Sequence, residues 1–143
     1  MGTVTAVCVS ETKGTRKKSV PSAMLIADHG LENDAHAGAR LRQVSMLSLE
    51  KIKEFQSRGA IVSFGDFGEN LVVSGIDFTI LPVGAKLGIG DALLEISRHG
   101  KECHTPCAIY EAMGECIMPT QGVFAKVLRG GPIRAGDTIT VCE

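Results

Sequence analysis

Between Glu102 and Cys116 the chain reads ECHTPCAIYEAMGEC, which holds three of its five cysteines. A histidine follows the first of them and a proline precedes the second. Thr105 is a fair helix N-cap and Pro106 suits the first helical position, where its missing N–H goes unused. With Gly114 as the stop, the spacing predicts a helix over residues 105–113. Cys107 is then the second helical residue, beside unpaired backbone N–H groups at the positive end of the helix dipole. That setting favours the thiolate and depresses the thiol pKa. His104, Lys101 and Arg98 lie just upstream and add positive charge.

Other chemistries fit the same residues. Cys107 as a buried small hydrophobe is one. Cys103, His104, Cys107 and Cys116 also make a zinc set with an acceptable Cys-x3-Cys pair, though without a second tight pair. A Cys103–Cys107 or Cys107–Cys116 disulfide formed during turnover is a third. A helix of about two turns, rising ~1.5 Å per residue, keeps Cys107 and Cys116 within roughly 10–15 Å of each other. One pocket could then meet both thiols, with Phe124 and its apolar neighbours limiting water. Cys8 and Cys142 fall in strand-like runs, where packing accounts for them.

The remaining polar motifs are weaker. FGDFGENL (Phe64 to Leu71) is glycine-rich but has no lysine where a phosphate loop needs one. NDAHAGARLRQVSML carries Asp34, His36, Arg40 and Arg42 ahead of an apolar strand, a place where a histidine is commonly a hydrogen-bonded structural residue. The basic run from Lys13 to Lys18 reads as a solvated hairpin loop. A formal net charge of -1 gives no general attraction to nucleic acid. No apolar run reaches the ~18 residues of a membrane span, and the first residues lack a signal-peptide pattern. An odd cysteine count without a secretion signal points to reduced thiols and a cytoplasmic protein.

The elements that must position these residues are mostly strands. Val4 to Val9, Ala23 to Ala27, Leu71 to Ser74, Lys86 to Ile89, Ala92 to Ser97 and the closing TITV are short and rich in β-branched or aliphatic residues. Gly90-Asp91 predicts a tight hairpin, and the same pair at Gly136-Asp137 suggests a second. Ser48 is placed to cap a helix over residues 48–58, with Leu49, Ile52 and Phe55 on one stripe and Gly59 as its stop. Short strands with two helices predict a mostly-β, barrel-like single domain.

NDAHAGARLRQVSMLS, FGENLVVSGID, VGAKLGIGDALLEIS, GKECHTPCAIY, GECIMPTQGVFAKVLRGG and IRAGDTI together resemble the MOSC family, named for the C-terminal domain of molybdenum cofactor sulfurase. They follow the family's order over most of the chain, in the manner of its small single-domain bacterial members. The resemblance implies a MOSC-like β-barrel that handles sulfur or molybdenum cofactor. It makes Cys107 the signature cysteine and a persulfide carrier, loaded by a separate pyridoxal-phosphate cysteine desulfurase; this chain itself binds no pyridoxal phosphate. Cys116 becomes a molybdenum ligand or second thiol, with Cys103 and His104 beside them. Arg98, Lys101, Arg129, His36, Glu69 and Asn70 are the expected contacts for molybdopterin, helped by the Gly130-Gly131 backbone. The recipient is a molybdenum-cofactor biosynthesis protein or a molybdoenzyme; neither nucleic acid nor a membrane is a partner. Two other functions remain open: a molybdopterin-binding module without transfer activity, and a zinc- or redox-stabilised interaction domain.

Overall fold

The computed structural model describes residues 2–10, 17–34, 38, 43–57, 59, 63–65, 67–99 and 122–142. Eleven strands and one α-helix order along them: β1 (Gly2–Val9), β2 (Lys18–Val20), β3 (Ser22–Ile26), β4 (Gly30–Leu31), β5 (Val44–Ser48), α1 (Leu49–Ser57), β6 (Leu71–Ser74), β7 (Lys86–Ile89), β8 (Ala92–His99), β9 (Val123–Arg129), β10 (Gly131–Arg134) and β11 (Thr138–Cys142). A short 3-10 turn, Phe78–Ile80, follows β6.

Strands β11, β7, β8, β9, β5, β6 and β1 pair in that order, and β1 returns to β11, closing a seven-stranded barrel. Pairing is antiparallel throughout except between β5 and β6. That exception is forced by arithmetic, because an odd ring of strands cannot alternate direction all the way round. A parallel neighbour needs a crossover rather than a tight turn, and α1 lies in that crossover. Its Ile52 and Phe55 are buried, and Gly59, at φ +97°, donates to the Gln56 carbonyl and stops it. Ser48 ends β5, and its hydroxyl donates to Glu50 Oε2 at 3.1 Å.

Val4, Val7, Val44, Met46, Leu71, Val73, Leu94, Ile96, Ala125 and Ile139 fill the barrel interior. A smaller outer cluster, with Ala6, Cys8, Leu47, Val72, Phe67 and Phe124, packs beneath Ile52 and Phe55 of α1. Strands β5 and β6 therefore bury both faces. The sheet β10-β3-β4 adds Leu25, Leu31 and Ile133 to the interior core. Gly130 fits there because a Cβ on it would come 2.5 Å from the Leu25 carbonyl oxygen.

The barrel-like expectation holds, as do the helix at Ser48 and the Gly90-Asp91 hairpin, which joins β7 to β8 with Gly90 at φ +57°. Gly136-Asp137 is not a hairpin turn: β10 pairs with β3 whereas β11 pairs with β1 and β7, so this turn carries the chain between sheets. No helix among the described residues is long and apolar enough to cross a membrane. The helix expected over 105–113 lies outside the described residues.

Candidate functional site

The cysteine-bearing segment joins β8 to β9, two antiparallel neighbours in which His99 pairs with Val123. The chain leaves the barrel and returns to it at adjacent positions on one rim. Lys101, Cys103, His104, Cys107 and Cys116 are carried between those two points, outside the described residues; His36 lies outside them as well. The structure describes the frame on which they are hung.

Strict alternation along β8 would carry Leu94, Ile96 and then Arg98 into the apolar interior. A one-residue bulge prevents this. Ile96 pairs with Ala125 but Arg98 pairs with Phe124, so β8 advances two residues while β9 advances one. Ala125 belongs to the interior core and Phe124 to the outer cluster, so the extra residue turns Arg98 to the outer face. Arg98 is half-buried, two residues before the cysteine-bearing segment begins. Arg129 lies elsewhere: it pairs with Leu93, five positions along β9 from Phe124, or ~17 Å at strand spacing. Its Nε donates to the Asp91 carbonyl at 2.7 Å.

Glu69 and Asn70 are fully buried. Glu69 Oε1 accepts from Phe67 N at 3.0 Å. Asn70 is the junction of three strands. Its Oδ1 accepts from Ser45 N at 2.9 Å, its Nδ2 donates to the Cys8 carbonyl at 3.0 Å, and its own carbonyl accepts from Cys8 N at 2.7 Å. Arg98, Phe124, Ser45, Asn70 and Cys8 thus form one row across the sheet, with ~4.8 Å between neighbouring strands.

The solvated-loop expectation for the basic run fails at Lys17. Its ammonium is 0% exposed and lies 2.7 Å from Asp34 Oδ1, itself 0% exposed, and 3.2 Å from Ser10 Oγ. Asp34 Oδ1 also accepts from Ser10 N at 3.1 Å. Burial pushes the Asp34 carboxyl up, but the Lys17 ammonium and the donated hydrogen bonds outweigh it and hold the group below its ordinary value. Nothing in the local sequence marks this pair, whose members are separated by 17 positions. The other end of the 35–42 segment is also tied down: Gln43 Nε2 donates to Asp28 Oδ1 and its Oε1 accepts from Val127 N, at 3.1 and 3.0 Å.

The MOSC domain model matches residues 33–140. The chain belongs to the MOSC domain family. That family is tied to molybdenum cofactor, and its match to this chain includes the cysteine-bearing segment together with Ser45, Asn70 and Arg98. No curated protein sequence matches significantly. The fold of this MOSC chain is shared by solved structures of low identity. The YUAD protein from Bacillus subtilis is 20% identical with a TM-score of 0.79, over 96% of this chain and 93% of that one. YiiM from Geobacillus stearothermophilus is 19% identical with a TM-score of 0.77, over 100% of this chain and 76% of that one. YiiM from Escherichia coli is 19% identical with a TM-score of 0.72, over 100% and 70%.

Among the described residues of the MOSC barrel no group of three or more His, Cys, Asp or Glu side chains could hold a metal ion. Cys8 is buried in the outer cluster, as packing predicts. Cys142 is exposed at the end of β11, so packing does not explain it. For an anionic group such as a phosphate, the partly exposed Arg98 fits: no described residue accepts a hydrogen bond from its guanidinium. Asn70 does not present donors in the same way, because its amide is engaged by Ser45 and Cys8.

Proposed function

We propose that this chain is a sulfur carrier of molybdenum-cofactor metabolism, with Cys107 accepting sulfur as a persulfide from a separate pyridoxal-phosphate cysteine desulfurase. The observation that carries the reading is the family match across residues 33–140, which includes the cysteine-bearing segment. The β8–β9 frame supports it by bringing both ends of that segment together beside an outward arginine.

In the loading step the Cys107 thiolate attacks the outer sulfur of the desulfurase persulfide. A new S–S bond forms on Cys107, the old one breaks, and the desulfurase thiolate leaves with its electron pair; no oxidant is needed. A helix start at Thr105-Pro106, as the sequence predicts, with His104 and Lys101 just upstream in the chain, would favour the attacking thiolate. For release, Cys116 or Cys103 attacks Cys107, expelling sulfide and leaving a disulfide that an external dithiol reduces. Sulfur passes to molybdenum cofactor or to a molybdoenzyme, and such chemistry belongs in a reducing compartment, the cytoplasm. Arg98 and Lys101 would hold the cofactor's phosphate, with His36 the further contact and Cys116 the molybdenum ligand. Arg129 would serve only a ligand reaching the opposite end of β9.

The experiment is sulfane sulfur per protein after incubation with desulfurase and cysteine, followed by activation of a molybdenum enzyme. Cys107→Ser abolishes loading, whereas Cys116→Ser loads but delivers poorly. If both variants load and deliver like wild type, the carrier reading is wrong and a molybdopterin-binding module without transfer replaces it.

A further inference from the structure

We infer that the side-chain amide of Asn70 is the register lock of the parallel β5–β6 joint, an extra peptide-like group that fixes β6 against β5 and β1 at once. The inference is independent of the carrier reading.

Hydrophobicity specifies this part of the ring poorly. Leu71, Val72 and Val73 of β6 are all apolar and all buried, the first and third in the interior and the second in the outer cluster. A shift of one residue turns each to the opposite face, and β6 would still bury apolar side chains on both. In a hairpin the turn would settle the register, but β5 and β6 are joined through α1. Strand β1 adds a second ambiguity. Val4 pairs with Val73 but Ala6 with Val72, so a bulge at Thr5 offsets the two halves of the strand by one residue. Ala6, Val7 and Cys8 are buried in succession, so the same offset placed further along would again bury apolar groups on both faces.

Polar groups supply the missing information. Asn70 immediately precedes β6 and is fully buried. Toward β5 its N–H donates to the Ser45 carbonyl at 2.9 Å, and its Oδ1 accepts from Ser45 N, also at 2.9 Å. Toward β1 its carbonyl accepts from Cys8 N at 2.7 Å, and its Nδ2 donates to the Cys8 carbonyl at 3.0 Å. One residue thus exchanges two hydrogen bonds with each neighbouring strand. Bonds in a parallel ladder are slanted, so a residue's N–H and C=O reach different partners; the side-chain amide is what lets Asn70 close both on Ser45. Ser45 is braced in turn. Its hydroxyl donates to the Gly68 carbonyl at 3.0 Å, and Gly68, at φ +79°, donates to the Gly65 carbonyl. A shift of β6 by one residue would orphan Ser45 N, the Cys8 carbonyl and the amide itself, where Cys8 and Asn70 are fully buried. Each orphaned group weighs about tenfold or more against the slipped register.

The test is Asn70→Asp, which keeps the shape. Its carboxylate retains the acceptor for Ser45 N but has no donor for the Cys8 carbonyl, whereas the protonated acid has both. Burial raises the folded pKa of this carboxyl above the unfolded value of about 3.9, so the gap to wild type closes as pH falls through the raised value. Amide exchange is read at Leu47, Val72 and Ala6, which pair with one another two steps along the ladder from Asn70, with Leu94 on β8 as reference. At neutral pH the three amides exchange about tenfold or more faster, relative to Leu94, than in wild type. Overhauser contacts of Val72 move from Leu47 and Ala6 to the chain neighbours of those residues. At about pH 4.5 the contacts return and the exchange ratios fall within about twofold of wild type. Faster exchange confined to Ser45 and Cys8, with native contacts kept, makes Asn70 a local bond and overturns the inference. A defect that acid does not reverse overturns it too. If the variant is unfolded at neutral pH, the contacts are followed as acid refolds it. Joint return of Val72–Leu47 and Val72–Ala6 supports the lock; return of one without the other, or no refolding, overturns it.

Discussion

Replacing Lys17 by methionine keeps the length of the side chain and removes its charge. Asp34 would then be a buried carboxylate that has lost its counter-ion but keeps the Ser10 N–H as a donor. Breaking one side of a buried pair costs about 3–5 kcal/mol, and the surviving Ser10 donor puts this case near the lower end, about 3 kcal/mol. At about 4 °C per kcal/mol for a chain of this size, the melting temperature falls by about 12 °C at neutral pH. The pH dependence identifies the cause. In wild type the Asp34 pKa is depressed, so its contribution is complete above the unfolded value of about 3.9 and is lost as pH falls through the folded value. In Lys17→Met the upward push of burial is no longer answered by the ammonium. The gap between the two proteins is therefore widest at neutral pH and closes on acidification, from the variant's raised folded value down through the depressed wild-type one. Thermal denaturation of both proteins across this range is the assay. A loss under about 3 °C at neutral pH, or a gap that does not change with pH, refutes the reasoning.

Gly65→Ala combines φ +91° with a Cβ 2.1 Å from the Lys17 carbonyl oxygen, so backbone must move; a loss of about 3 kcal/mol or more in urea denaturation is expected. Ile52→Ala empties the apolar contact between α1 and the barrel and costs about 2–5 kcal/mol, with the m-value preserved if the helix stays docked. Glu50, held below its ordinary value as hydrogen bonds from Gly75 N and Ser48 outweigh a raising effect of burial, stabilises above its unfolded pKa and less as pH falls through the folded one. Glu50→Gln should therefore flatten the acid limb of the stability curve, measured as melting temperature against pH. Arg98→Gln should weaken binding of inorganic phosphate or pyrophosphate in calorimetry at least fivefold, whereas Arg129→Gln leaves it unchanged; the reverse order would move the anion site to the other end of β9.

Local pattern and tertiary arrangement contributed different things to this protein. Strand β1 was readable from its β-branched run, β6 and β7 because their aliphatic runs end at glycine, and β8 and β11 because theirs follow a glycine-aspartate pair; those signals act within a few residues. The helix over residues 49–57 was readable for the same reason, from Ile52 and Phe55 one turn apart and a glycine stop. The MOSC resemblance was legible because the motifs occur in order, and it brought the barrel with it. The cysteine-bearing segment was legible as chemistry from its residue types alone. What no local window contains is closure. Seven strands make a ring only when β11 meets β1, residues 139 and 2 in direct register, and the odd count then demands the parallel β5–β6 pair. The outward turn of Arg98 depends on a bulge, which is a relation between two strands and not a property of either. Lys17 looked like any lysine in a basic loop because its partner, Asp34, reaches it only through folding, and a charge is buried or solvated according to what surrounds it. Composition and periodicity record which residues prefer to leave water; only the closed barrel decides which polar groups must leave with them, and therefore which must find each other.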